Sequence, residues 1–186
     1  MLIRSARGGD VPAVAGYIAM AEGEMAHFFA GSDDPAVVAT ALAALVRSPS
    51  PCRYSLEVAR VVEVDGRPAG FLTAFPADRQ PELDRPLLDA LRRRGLALEK
   101  LTFEGEPGSY YLSTLGVDPA FRGRGLGSAL IADAEARARD EGFAHASLLV
   151  TRDNPARHIY EHRGYATAVE IAIAGIGYFR MIKRLA

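Results

Sequence analysis

Two stretches of the chain combine residue types and spacings that could do chemistry. The first is Arg122-Gly123-Arg124-Gly125-Leu126-Gly127-Ser128. Alternate glycines let a backbone turn so tightly that successive N–H groups face one point, which suits an anion. A helix opening there adds the positive end of its dipole, and two arginines add formal charge. This is a phosphate cradle on physical grounds. It is not a Walker loop, because no Gly-Lys-Ser/Thr follows, and its spacing is G-x-G-x-G rather than G-x-G-x-x-G. The plain alternative is an Arg/Gly turn that caps a helix. A strand before it, a helix after it and two flanking arginines favour the anion site.

The second stretch is Asn154-Pro155-Ala156-Arg157-His158-Ile159-Tyr160, ending in Gly164-Tyr165. Asn154 can cap a helix and Pro155 suits its first turn, so Tyr160 should sit one to two turns in. Tyrosines in such places mostly pack, yet a phenol beside a ligand can also supply a proton. The same segment holds His158-Ile159-Tyr160-Glu161-His162, an H-x-x-E-H pattern that can put two histidines on one metal. A third ligand would have to come from a tail with no His and one acid, Glu170. Solvated histidines fit better, and no metal site is assigned. His27 and His145 have no spacing partners. The single cysteine, Cys52, lies in a Pro-broken loop without a neighbouring His and reads as an incidental thiol.

The elements around these stretches explain why both could face one ligand. Tyr110–Val117 reads as a strand, Gly125–Glu141 as a helix closed by Gly142, and Ala144–Val150 as a second strand. A strand–helix–strand crossover makes its strands parallel, so the loops after Val117 and Val150 share one sheet edge, where open parallel sheets bind ligands. The crossover helix looks structural: Leu126, Leu130 and Ala134 share a face, and Asp133–Arg137 and Glu135–Arg139 have surface-pair spacing.

Upstream, Leu2–Ala6 reads as a strand. Asp10 and Pro12 open a helix to about Glu24, and Asp34 and Pro35 open another at Ala36–Val46. Tyr54–Val64 and Arg67–Phe75 flank Asp65-Gly66, a hairpin signal. Residues 76–108, helical around Leu83–Leu98, look like a surface excursion, and such segments often carry specificity. A final hairpin spans Tyr165–Ile173 and Tyr178–Leu185. The chain of 186 residues, net charge −1, shows no repeat or linker and reads as one domain over 1–186, with its core motifs at 110–165. That charge gives no global pull toward nucleic acid or anionic membrane. No segment reads as a signal peptide or membrane span, and one cysteine fits the reducing cytoplasm.

Together these residues resemble the GNAT family of acetyl-CoA-dependent N-acetyltransferases. Leu115-Gly116-Val117-Asp118-Pro119-Ala120-Phe121 running into Arg122–Gly127 is similar to its motif A, and Asn154 to Tyr165 to its motif B. The resemblance implies an α/β (α+β) fold: a mixed, mostly antiparallel sheet of about seven strands flanked by helices, with the parallel unit splaying apart at the ligand edge. Acetyl-CoA would be the co-substrate. Its pantetheine arm would pair with backbone at Leu115 and Val117, beside Gly116, and its pyrophosphate would meet amides of Arg122, Gly123, Arg124, Gly125, Leu126, Gly127 and Ser128. Asn154 would contact it, and Tyr160 would act as general acid near the sulfur.

Two departures stand out. The family spaces its Asn one residue further from the Tyr, an offset that Asp153 has here, so Asn154 or Asp153 could fill that slot. Where some members place a Glu base in the fourth strand, this chain has Tyr111. Glu104 and Glu106 lie just upstream and read as solvated acids of a Gly/Pro loop, or as bases acting directly or through water. A base or desolvation is needed, since about one in a thousand lysine-like amines is neutral at pH 7. The expected function is N-acetyl transfer to a primary amine, on a small molecule or else a protein, by a monomer or homodimer. The alternative is a non-catalytic acetyl-CoA-binding sensor.

Overall fold

The computed structural model describes residues 1–96 and 98–185. The elements, in chain order, are β1 (Leu2–Ser5), α1 (Val11–Glu22), α2 (Glu24–Ala30), α3 (Pro35–Val46), β2 (Ala59–Val64), β3 (Arg67–Pro76), α4 (Gln80–Leu83) and α5 (Arg85–Arg93). They continue with β4 (Tyr110–Val117), α6 (Leu126–Asp140), β5 (His145–Thr151), α7 (Arg157–His162), β6 (Ala166–Ile173) and β7 (Ile176–Arg184). Seven strands form one sheet in the order β1-β2-β3-β4-β5-β7-β6. Every neighbouring pair is antiparallel except β4 and β5, which run parallel as the crossover rule requires. This is the mixed α/β sheet that the sequence implied.

Local chemistry sets most boundaries. Arg4 holds Asp10 with two hydrogen bonds of 2.7 and 2.9 Å at the start of α1. The helix expected to reach Glu24 instead stops at Gly23, whose φ of 54° breaks it, and α2 starts afresh. Asp34 caps α3 by accepting from the Ala36 N–H at 2.8 Å. The expected strand over Tyr54–Val64 begins only at Ala59. Ahead of it the chain turns, with the Ser55 hydroxyl donating to the Cys52 carbonyl at 2.7 Å, and this turn buries Tyr54 completely.

Residues 76–108 are not the surface excursion that their charge suggested. Leu83, Leu87 and Leu91 recur every four residues and are fully buried. Leu87 and Leu91 join α1, α2, α3 and Phe71 in one core, while α6 closes a second core on the other face with Leu126, Leu130, Ile131, Ala134 and Ala138. Charge on one side of α5 had masked the stripe on the other. Among the described residues no single helix is long and apolar enough to cross a membrane.

The α6 carboxylates also depart from expectation. Asp133 reaches across to Arg60 at 3.0 Å, and Glu135 is only 2% exposed. The Glu135 carboxylate accepts from Arg163 Nη2 at 2.9 Å and from Lys183 Nζ at 2.8 Å, tying α6 to the residue after α7 and to β7. Burial alone would raise this carboxyl, but the two cations outweigh it and hold it below its ordinary 4.5. A depressed folded pKa contributes stability that is complete above pH 4.5 and lost as pH falls through the lower folded value. Glu135→Ala should therefore cost about 2–3 kcal/mol at pH 7, below the range for fully buried pairs because both cations keep some water. Urea denaturation at pH 7 and pH 3 checks this: the difference between variant and wild type should shrink at the lower pH.

The feature that matters most for the site lies in β4. Thr73 of β3 faces Thr114, but the next residue, Ala74, faces Leu112, so Ser113 is an extra residue bulged out of the ladder. Pairing between β4 and β5 covers only Tyr110, Tyr111 and Leu112 against Ala146, Ser147 and Leu148, and it ends where the bulge begins. Beyond it the strands diverge and open a gap at the ligand edge.

Candidate active site

Two cavities meet in that gap. One, of about 590 Å³, is a cleft that runs from β4 to the start of α6 and across to α7. Leu115, Gly116, Val117, Arg122, Gly123, Gly125, Leu126, Gly127, Ser128, Asn154 and Tyr160 all line it. The second, of about 330 Å³, is a chamber on the other side of Tyr160, walled by α1, α2, β4, β5 and the final hairpin. Ala21, Leu115, Asn154 and Tyr160 line both, so the two cavities adjoin at these residues.

The end of the cleft at the start of α6 is built from backbone. Gly123 and Gly125 have φ of 73° and 76°, a left-handed conformation that side chains resist, and together they turn the chain into α6. Gly125 is the N-cap and carries no side-chain cap, so the N–H groups of the first helical turn, Leu126, Gly127 and Ser128, are left for a ligand. A Cβ on Gly127 would meet only Val117 and Leu115 side chains at 3.8 and 3.9 Å, so packing does not demand glycine there. Gly116 differs: a Cβ would come within 3.0–3.2 Å of Phe71 and Tyr17, so this glycine lets α1 press onto β4. The two arginines part company. Arg122 lines the cleft and reaches the Val117 carbonyl and the Met20 sulfur. Arg124 turns away, its guanidinium 5.2 Å from the centre of the Phe121 ring.

On the opposite wall, α7 is shorter than expected. Ala156 is its N-cap, and Asn154 instead forms a turn ahead of it, its Oδ1 accepting from the Ala156 N–H at 2.9 Å. Tyr160 sits one turn in. Asn154 lines both cavities; Asp153 is exposed and lines neither. The Tyr160 ring packs edge-on against Tyr165 at 6.2 Å, and burial pushes its phenol up to about 12, so it is protonated at neutral pH. His158 and His162 each place Nδ1 against a backbone carbonyl, of Pro155 and His158 respectively. Among the described residues no group of three or more His, Cys, Asp or Glu could hold a metal. Cys52 is fully buried, and burial raises its thiol to about 11, which leaves it inert.

The acids upstream of β4 separate. Glu106 is part-exposed beside Arg180 at 3.3 Å and lines neither cavity. Glu104 is not a solvated loop acid: it lines the chamber, accepting from Arg53 Nη1 at 2.8 Å and the Tyr111 hydroxyl at 2.6 Å. Both of its oxygens are thus already held by donors. Arg180 straps this segment down by donating to the carbonyls of Glu104 and Phe103 at 2.9 and 3.1 Å. Sequence reading missed Glu22 and Arg53, which also line the chamber. The one signal for Glu22 was its place as the sole acid closing the apolar run of α1; nothing local marks Arg53.

Comparison with known proteins follows this geometry. The sequence profile described as "Acetyltransferase (GNAT) family" matches residues 24–165. A blasticidin-S acetyltransferase from Streptomyces morookaense is 46% identical over 61 residues, covering 33% of this chain and 45% of that protein. The chain thus matches under half the length of this curated relative. Among solved structures, one described as an acetyltransferase is 29% identical with a TM-score of 0.80, each chain covered in full. An N-acetyltransferase from Staphylococcus aureus Mu50 superposes with a TM-score of 0.79 over 98% of this chain at 19% identity, a likeness of fold alone.

Proposed function

This chain belongs to the GNAT acetyltransferase family, and we propose that it moves the acetyl group of acetyl-CoA onto a primary amine by direct attack. Acyl transfer is the family's chemistry; the donor, the acceptor and the residue roles are our reading. The observation that carries it is the junction of two cavities at Tyr160, one with a backbone anion cradle and one without.

Acetyl-CoA fits the cleft on the chain's own features. The left-handed glycines and free N–H groups at the start of α6 suit a pyrophosphate. The β4 backbone at Leu115 and Val117, unpaired with β5 beyond the bulge, can hold an amide-bearing arm. Gly116, Arg122, Gly123, Gly125, Leu126, Gly127, Ser128 and Asn154 complete the wall, while Arg124 contributes charge from outside it. When bound, acetyl-CoA supplies the activated acetyl group. Tyr160, neutral and desolvated, donates its proton to the departing thiolate, whose basicity burial raises as well.

The chamber's modest volume supports a small-molecule amine as acceptor, and the name of the blasticidin-S acetyltransferase relative is consistent with that class. The single sheet supports one domain over 1–186, and the free buried thiol supports a reducing compartment. Saturating acetyl-CoA, at about a hundred times its Kd, should stabilise the protein by about 2.7 kcal/mol. For a chain of this size that is a Tm rise of about 5–10 °C. An unchanged Tm sinks the assignment. Release of free coenzyme A across a panel of amines then separates an enzyme from a sensor: a protein that binds the donor but releases nothing is the sensor.

A further inference from the structure

We propose that the chamber beside Tyr160 is a subsite for a small primary amine that carries a neutral oxygen acceptor near its nitrogen, with Glu22 as the carboxylate that binds the amine and takes its proton. The inference rests on the acetyltransferase reading above and adds the acceptor class and the base.

Four observations converge. Glu22 ends α1 and lines the chamber, accepting a 2.9 Å hydrogen bond from the Thr114 hydroxyl on β4, next to Leu115. Arg53 lines the same chamber, 4% exposed, with its Nε and Nη1 taken by Asp84 and Glu104. Among the described residues Arg53 Nη2 and the hydroxyl of the bulged Ser113 are buried with no partner, and both residues line the chamber. A buried guanidinium N–H left unpaired is costly, and an oxygen on a bound acceptor would satisfy it. Finally, the charges do not balance: Glu22, Glu24 and Glu104 line the chamber with Arg53 as the cation, and Asp84 pairs with Arg53 from behind. That surplus favours a cationic guest whose oxygen is a neutral carbonyl or hydroxyl rather than a carboxylate. Met25, Phe29, Leu149, Ile173 and Ile176 give the guest an apolar wall.

The groups that face Glu22 set its proton affinity. Burial raises it most and Glu104 raises it further, while Arg53, Thr114 and Tyr54 oppose them, for a net rise above the ordinary 4.5. Tyr178 on β7 and Glu24 on α2 complete its surroundings. A raised carboxylate is a better match for an amine's proton than a free one. In the step, Glu22 takes one proton from the bound ammonium, and the neutral nitrogen then forms the C–N bond to the acetyl carbonyl carbon as the C–S bond breaks. The sulfur takes the proton of Tyr160, and the second nitrogen proton returns to the Tyr160 phenolate, leaving amide, free thiol and protonated Glu22.

The test uses the full chain with acetyl-CoA and three probes, L-phenylalaninamide, L-phenylalanine and Phe-Gly-Gly. Wild type should acetylate the amide at least tenfold more efficiently than the acid, with an acid limb in kcat/KM set by Glu22. A free amide and a peptide N-terminus share this chemistry; the small-molecule claim expects the amide to exceed Phe-Gly-Gly, and the reverse order overturns it. Glu22→Gln should lower kcat/KM for the amide about a hundredfold, remove the acid limb, and weaken calorimetric binding of the amide to the coenzyme A complex about tenfold. Thr114→Val removes a hydrogen bond that favours ionised Glu22, so its acid limb should move to higher pH. Loss of acetyl-CoA binding in wild type would defeat the acetyltransferase reading and this inference with it. Retained acetyl-CoA binding with no probe acetylated, or with both variants matching wild type in pH profile and amide binding, defeats this inference alone.

Discussion

Replacing Tyr160 by phenylalanine should lower kcat by about 10²–10³-fold while leaving the Kd of acetyl-CoA within about twofold. Tyr160 is one of the residues at which the two cavities adjoin, and its ring already has a packing partner in Tyr165 at 6.2 Å. Phenylalanine keeps that ring contact and removes the phenol proton assigned above to the departing thiolate. Because the interaction develops only as sulfur leaves, its loss should appear in turnover rather than in donor affinity. Single-turnover rates and acetyl-CoA titrations of the same preparation separate the two. The pH dependence gives a second check. Burial lifts Tyr160 to about 12, so its ionisation should cause no fall in rate between pH 7 and 10. Wild-type turnover in the phenylalanine variant would remove Tyr160 from the mechanism.

Arg53→Ala should be the most destabilising single change outside the hydrophobic core, at about 3–5 kcal/mol. Arg53 is 4% exposed and Asp84 3% exposed, and their Nε–Oδ1 distance is 2.6 Å. Burial on its own would weaken the Arg53 proton affinity, but Glu104 and Asp84 outweigh it. Without the guanidinium, two enclosed carboxylates lose their cation, and Asp84 keeps only the Gln80 amide at 3.1 Å. Two carboxylates left together without that cation are a penalty at neutral pH. Arg53→Lys should recover only part, since an ammonium cannot serve Asp84, Glu104 and a guest with a rigid fork. Thermal unfolding of the three proteins at pH 7 measures each claim.

How far the sequence could be read differs from one residue to the next for a common reason. The Arg122–Ser128 turn was legible because left-handed glycines and a helix start are local, fixed by neighbours a few positions away. So was the parallel unit, because a crossover dictates its own direction. The Asp65-Gly66 hairpin and the placement of Tyr160 beside the cradle followed in the same way. Glu135 was misread because its spacing to Arg139 looks like a surface pair, whereas its partners, Arg163 and Lys183, come from elements folded against α6 much later in the chain. The buried stripe of α5 was hidden by the charges on its other side.

The sequence alone thus determined the glycine turn into α6, the parallel β4–β5 unit and the shared sheet edge of the loops that follow those strands. Only the tertiary structure decided which residue of β4 ends its pairing with β5 and which side chains line the chamber. The Ser113 bulge depends on the register of β4 against β3, which no local spacing encodes. The chamber assembles Glu22 from α1, Arg53 from the loop before β2, Glu104 from the loop before β4 and Tyr178 from β7. Burial and pairing are properties of that assembly. A charge acquires its proton affinity and its partners only when long-range packing removes water from around it.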